Sequence, residues 1–91
     1  MDALDVLGSK ARLSILRALS RRDMYHSELM ETVGMDGKTA THHLEALEER
    51  GLVDSRMEGR RRYYSLEKDV RLEVSPPPNR RFVVQFEGVD D

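Results

Sequence analysis

Between Ser27 and Gly51 two apolar stripes at helical spacing are separated by a short break, Gly34–Met35–Asp36, and few folds accommodate that arrangement. The first stripe carries Leu29, Met30 and Val33 behind Ser27, whose hydroxyl suits a helix start. Gly34 supplies the left-handed residue that commonly closes a helix. Asp36 is a favoured cap for the second helix, predicted from about Gly37 to Arg50, where Ala40, Leu44 and Leu47 recur on one face until Gly51 stops it. Two short helices joined by a glycine-containing turn fit a helix-turn-helix, the motif whose second helix reads duplex DNA.

Upstream, Leu4 and Leu7 lie one turn apart, Gly8 and Ser9 interrupt, and Lys10 to Ser20 resumes with Leu13, Ile15, Leu16 and Leu19 apolar. This predicts one helix or two joined, capped at Ser9, burying Leu16 and Leu19 with Leu4 or Leu7 and turning Arg12, Arg17, Arg21 and Arg22 outward. A connection through Asp23 and Met24 follows. Beyond Gly51 the period changes to that of strands. Leu52 to Met57, a turn at Glu58 and Gly59, and Arg61 to Leu66 predict an arginine-tipped hairpin. Val70, Leu72 and Val74, then Phe82, Val84 and Phe86, predict a second hairpin, joined through Ser75 to Asn79 by a proline run stiff enough to act as a spacer. The polar end, Gly88 to Asp91, is expected to fray. The predicted fold class is α/β in the α+β sense: a winged helix-turn-helix of three to four helices with a β-hairpin wing and an additional C-terminal β-hairpin. Residues 1–66 would form the DNA-binding domain and 67–91 a hairpin extension whose Phe82, Val84 and Phe86 either cover the core or pair two subunits in a dimer.

A chain of 91 residues, 38% of them hydrophobic, forms one domain with a modest core, so a homodimer that buries further surface is expected. Without cysteine, a disulfide framework, a thiolate zinc site and a cysteine nucleophile are all excluded. No apolar run nears the roughly 18 residues of a membrane span and no signal-like start is present, which predicts a soluble, cytoplasmic protein with no membrane partner. The formal net charge of -2 looks unfavourable for a nucleic-acid binder. Its distribution matters more: residues 1–66 hold 11 acidic and 11 basic side chains, residues 67–91 hold 6 and 4. Arg56, Arg60, Arg61 and Arg62 face only Glu58 in sequence, a local basic footprint. No Gly-rich phosphate loop, metal-ligand cluster or nucleophile with a matched base can be placed, so neither an enzyme nor a cofactor or metal site is predicted.

Three stretches, LGSKARLSILRAL from Leu7, SELMETVGMDGKTATHHLEALEERGLV from Ser27 and EGRRRYYSL from Glu58, resemble the ArsR-like winged-helix regulators over about the first two-thirds of the chain. THHLEALEERGLV and EGRRRYYSL are the most specific parts. The resemblance implies operator binding as a dimer, usually as a transcriptional repressor. Metal-sensing members use cysteine-containing ligand sets that this sequence lacks, so metal sensing is not carried over. Members also commonly end in a helix that pairs two subunits, whereas this chain's pattern ends in strands.

With Ala40, Leu44 and Leu47 facing inward, Lys38, Thr39, Thr41, His42 and Glu45 are left on the outer side of the second helix. They are the candidate readers of double-stranded DNA; the alternative is a solvated helix face. Thr39 and Thr41 can donate or accept at base edges, and His42 can do either according to its tautomer. His43 borders the buried stripe, either as a packed histidine or as a phosphate contact. A metal pair of His42 and His43 is disfavoured because helix neighbours diverge by about 100°. His26 is a surface residue or a phosphate donor. Arg60, Arg61 and Arg62 at the hairpin tip are candidates for phosphates or the minor groove, but strand neighbours point to opposite faces and cannot all make one contact. Tyr63 and Tyr64 are expected to pack within the hairpin. Glu45 can accept from cytosine, while Glu48 and Glu49 are expected to pair with Arg50 or nearby arginines. A second reading is a winged-helix module that binds a protein partner and no DNA.

Overall fold

Helix starts and stops follow the local chemistry closely. The computed structural model describes residues 3–88, so the expected fraying of Val89 to Asp91 lies outside the described residues. Helix α1 (Ala3–Leu7) breaks at Gly8, and α2 (Lys10–Leu19) restarts under a cap in which the Arg12 amide donates to Ser9 Oγ at 3.2 Å. A two-residue strand β1 (Met24–Tyr25) leads directly into α3 (His26–Val33). Gly34 closes α3 at φ 70, and α4 (Gly37–Glu49) begins under Asp36. Strands β2 (Val53–Glu58), β3 (Arg61–Leu66), β4 (Lys68–Val74) and β5 (Phe82–Gly88) complete the order.

Ser27 does not cap α3. Pairing of Met24 with Tyr64 and of Tyr25 with Tyr63 holds Tyr25 extended, so Tyr25 takes the cap position and the helix starts two residues early, at His26. The Tyr25 amide then donates to the Glu28 carboxylate at 3.3 Å. The inward residue of α1 is Val6, fully buried, and not Leu4, which is 55% exposed, because the break at Gly8 makes α1 a separate helix with its own orientation.

The first sheet has the order β1-β3-β2, all antiparallel, with Val53 opposite Leu66 and Glu58 opposite Arg61. One face, with Val53 and Tyr64, closes over the helices; the other carries Asp54, Arg56, Tyr63 and Tyr25. Ile15, Leu16 and Leu19 of α2, Leu29 of α3, Leu44 and Leu47 of α4, and Leu52 form one cluster with these residues. Strands β4 and β5 form a separate two-stranded sheet. Its base rests on the core through Val70 and Phe86, and the Arg50 guanidinium lies 5.1 Å from the Phe86 ring centre. The connection is a closed loop and not an extended spacer, because the Ser75 amide donates to the Arg81 carbonyl at 2.8 Å. The architecture is thus the expected α+β winged helix-turn-helix, with four helices among the described residues and an appended hairpin.

Candidate nucleic-acid interface

The second helix of the motif is fixed from beneath and open from above. Ala40, Leu44 and Leu47 are at most 1% exposed, and this anchoring leaves Lys38, Thr39, Thr41, His42 and Glu45 exposed. Its N-terminus is set by Asp36, whose carboxylate accepts from the Thr39 amide at 2.8 Å and from the Thr39 hydroxyl at 3.1 Å. Those bonds, the amide first, hold the Asp36 carboxyl below its ordinary range. Thr39 therefore has its hydroxyl proton committed to the cap and only acceptor capacity to offer outward.

Thr41 is also engaged. Its hydroxyl lies 3.1 Å from His26 Nε2, which ties the recognition helix to the first turn of α3. The His26 ring in turn leans on Tyr64, with ring centres 6.2 Å apart. The Lys38 ammonium engages no hydrogen bond or ion pair among the described residues, and the His42 ring meets the neighbouring His43 ring at 5.4 Å. His43 is half-buried with Nδ1 enclosed and unpartnered among the described residues. Burial first, then the charges of Arg12 and His42, lowers its pKa, so at neutral pH it is an uncharged packed ring.

The wing separates its arginines by function as well as by face. Arg56 is held between Asp23 at 2.9 Å and Glu58 at 2.6 Å, over the Tyr63 ring, so its charge is already matched. Arg61 lies over Tyr25, 4.3 Å from the ring centre, and Tyr25 meets Tyr63 edge-on. On the opposite face Arg62 donates to Ser55 Oγ at 3.1 Å, and Ser55 donates to Glu48 of α4 at 3.2 Å. That relay aims Arg62 toward the recognition helix and accounts for Glu48, which pairs with Ser55 and not with an arginine. Arg60, at the turn after Gly59, has no partner among the described residues. All three tip arginines border a cleft of about 200 Å³ whose other wall is Tyr25, His26 and Ser27 at the start of α3. A helix N-terminus facing guanidinium groups is an electrostatic setting for phosphate.

Of the residues singled out from sequence, Lys38, Thr39, Thr41 and His42 come together on one helix face, while Arg60, Arg61 and Arg62 border the cleft at the start of α3, whose His26 bonds Thr41. Arg56 and His43 stand apart, one neutralised and the other inward. Sequence spacing alone gives His26 no tie to the recognition helix. Its bond to Thr41 joins positions 15 residues apart, for which the sequence carries no local signal. Among the described residues no group of His, Asp or Glu is placed to hold a metal ion, and no helix is long and apolar enough to cross a membrane.

Residues 9–55 match the family described as bacterial regulatory protein, arsR family. No protein of curated function matches the sequence significantly. Solved structures do. The homodimeric winged helix-turn-helix DNA-binding domain of Mb0332 from Mycobacterium bovis is 34% identical at TM-score 0.66, covering 70% of this chain and 59% of that one. NolR from Sinorhizobium fredii is 30% identical at TM-score 0.65, covering 69% and 63%. The transcriptional repressor BigR from Xylella fastidiosa is 26% identical at TM-score 0.67, covering 70% and 65%. The chain thus spans about three-fifths of the length of these relatives, and the family match ends before the wing tip. With that match over more than half of its residues, and with this fold, the chain belongs to the bacterial regulatory protein arsR family.

Proposed function

We propose that the protein is a sequence-specific, double-stranded DNA-binding transcriptional regulator, a repressor acting in the cytoplasm as a homodimer. One observation carries the reading: an exposed polar helix face, Lys38 to His42, is tied through Thr41 and His26 to a cleft at the start of α3 that three arginines border. In this reading residues 1–66 read DNA and residues 67–91 pair the subunits. The α4 helix enters the major groove, where Thr41 and His42 meet base edges and Lys38 a phosphate. Thr39 contributes as an acceptor. Arg60 and Arg62 contact the flanking backbone, with Arg61 reaching it from the other side of the wing. Arg56 and His43 support the site by shaping the wing and the underside of the helix. Two copies related by a dyad present two recognition helices to half-sites about one helical turn, roughly 34 Å, apart. The likeness to the transcriptional repressor BigR supports repression as the sense of regulation.

The test is a selection of duplexes from a random pool by the purified protein, followed by titration of a selected and a scrambled duplex. Enrichment of a two-fold symmetric site, bound far more tightly than the scrambled duplex, is expected. No retention of any duplex at low salt would overturn the reading in favour of a protein-binding module, the class to which the net charge of -2 would then point.

A further inference from the structure

The register of the C-terminal hairpin places Val70 opposite Phe86, Leu72 opposite Val84 and Val74 opposite Phe82, so one face is apolar from these three pairs on, beyond Lys68 and Gly88 at its start. Only its base is covered, by the core. Beyond it Leu72 is 54%, Val74 63% and Phe82 63% exposed. A lone two-stranded hairpin is at best marginally stable in water, and an uncovered apolar face of this kind marks an interaction surface. Beside the base lies an open, mainly apolar groove of about 450 Å³, in which Leu7, Leu13, Leu16, Leu66, Val70 and Leu72 are joined by the polar Arg17, Ser20, Lys68 and Asp69.

We propose that this face pairs two copies of the chain, the Val74–Phe82 end of each hairpin seated in the groove at the base of the other. The occupant is a second copy because ridge and groove are carried by the same surface, the condition for a closed two-fold contact in which each element is used once by each subunit. Charge permits it. The Arg81–Glu73 and Arg71–Asp69 pairs balance the strands internally, and the two acidic side chains in excess over residues 67–91 correspond to Asp90 and Asp91, which follow β5 in the sequence. The exposed parts of Leu13, Leu72, Val74 and Phe82 supply on the order of 400–500 Å² per copy, which a polar rim extends toward the roughly 600–800 Å² per partner of a stable dimer. The dyad then passes near Leu72 and Val84, the middle pair of the face. The inference specifies the dimer of the proposed function but does not depend on DNA.

Sedimentation equilibrium of the full chain tests it, comparing wild type, Phe82→Glu on the apolar face and Gln85→Glu on the opposite face. Wild type and Gln85→Glu should be dimers, with Phe82→Glu at least tenfold weaker in self-association and still cooperative in thermal unfolding. Because the chain has no cysteine, Leu72→Cys provides a second readout that tolerates a poorly folding variant: oxidation should join it into a covalent dimer, while Gln85→Cys stays largely unjoined. A monomeric wild type, including one whose hairpin captures a different protein, overturns the proposal. So does an undiminished Phe82→Glu dimer, or equal joining at both cysteine positions. A wild-type dimer that retains no duplex DNA would sustain this interface while removing the DNA reading.

Discussion

Leu47 offers a direct check on how the recognition helix is held. It is fully buried, one of three side chains by which α4 grips the core, and its carbonyl accepts the Leu52 amide at 3.1 Å where the helix gives way to the wing. Leu47→Ala removes buried carbon in a region with few other anchors, so the lost transfer energy and the residual cavity together cost about 3 kcal/mol. Domains of this size are stable by roughly 5–14 kcal/mol, which makes that a substantial fraction. It corresponds to a fall in Tm of roughly 12–24 °C. Met57 on the wing is 55% exposed, and Met57→Ala should change stability by less than about 0.5 kcal/mol. Thermal unfolding followed by circular dichroism, at one fixed protein concentration because association shifts Tm, measures both. Equal losses for the two variants, or a loss below about 1 kcal/mol for Leu47→Ala, would refute the anchoring described for α4.

Further predictions concern the underside of the recognition helix and the wing turn. Burial lowers the His43 pKa from its ordinary value of 6.5, so below that pH the unfolded chain takes up a proton that the folded chain resists. Its contribution to stability is complete above 6.5 and is lost as pH falls toward the folded value; a pH series of denaturant midpoints should show this slope in wild type and not in His43→Gln, and identical slopes would contradict it. Gly59 turns the wing at φ 64 with open space where a Cβ would sit, so Gly59→Ala should cost about 1 kcal/mol through backbone strain alone, and an unchanged midpoint would show the turn relaxes freely.

The sequence disclosed what is decided locally. The spacing of Ala40, Leu44 and Leu47 located the recognition helix, Ser9 and Asp36 marked two helix starts, and Gly34 marked one end, because capping and periodicity act within a few residues. What pairing decides was hidden. Met24 and Tyr25 are a strand only because Tyr64 and Tyr63 lie beside them, and that pairing moved the start of α3 away from Ser27. The same applies to the candidate site. Arg56 reads as a free cation in a run of arginines, yet Asp23, 33 positions earlier, neutralises it. Thr41 reads as a free hydroxyl, yet His26 engages it. Arg61 and Arg62 did part to opposite faces as strand alternation requires, but which one turns toward α4 depends on the relay through Ser55 and Glu48.

The most direct test of the DNA reading is the salt dependence of binding to duplex DNA, measured for wild type beside an Arg60→Ala/Arg62→Ala variant. Each phosphate contact contributes about 0.9 to the slope of log affinity against log salt, so the variant should lose roughly two units of slope per subunit and bind every sequence more weakly. A wild type whose affinity falls steeply with salt, and a variant whose affinity falls less steeply, would be the predicted result. Identical slopes would remove the wing from the interface, and no binding by wild type at low salt would contradict the DNA reading itself.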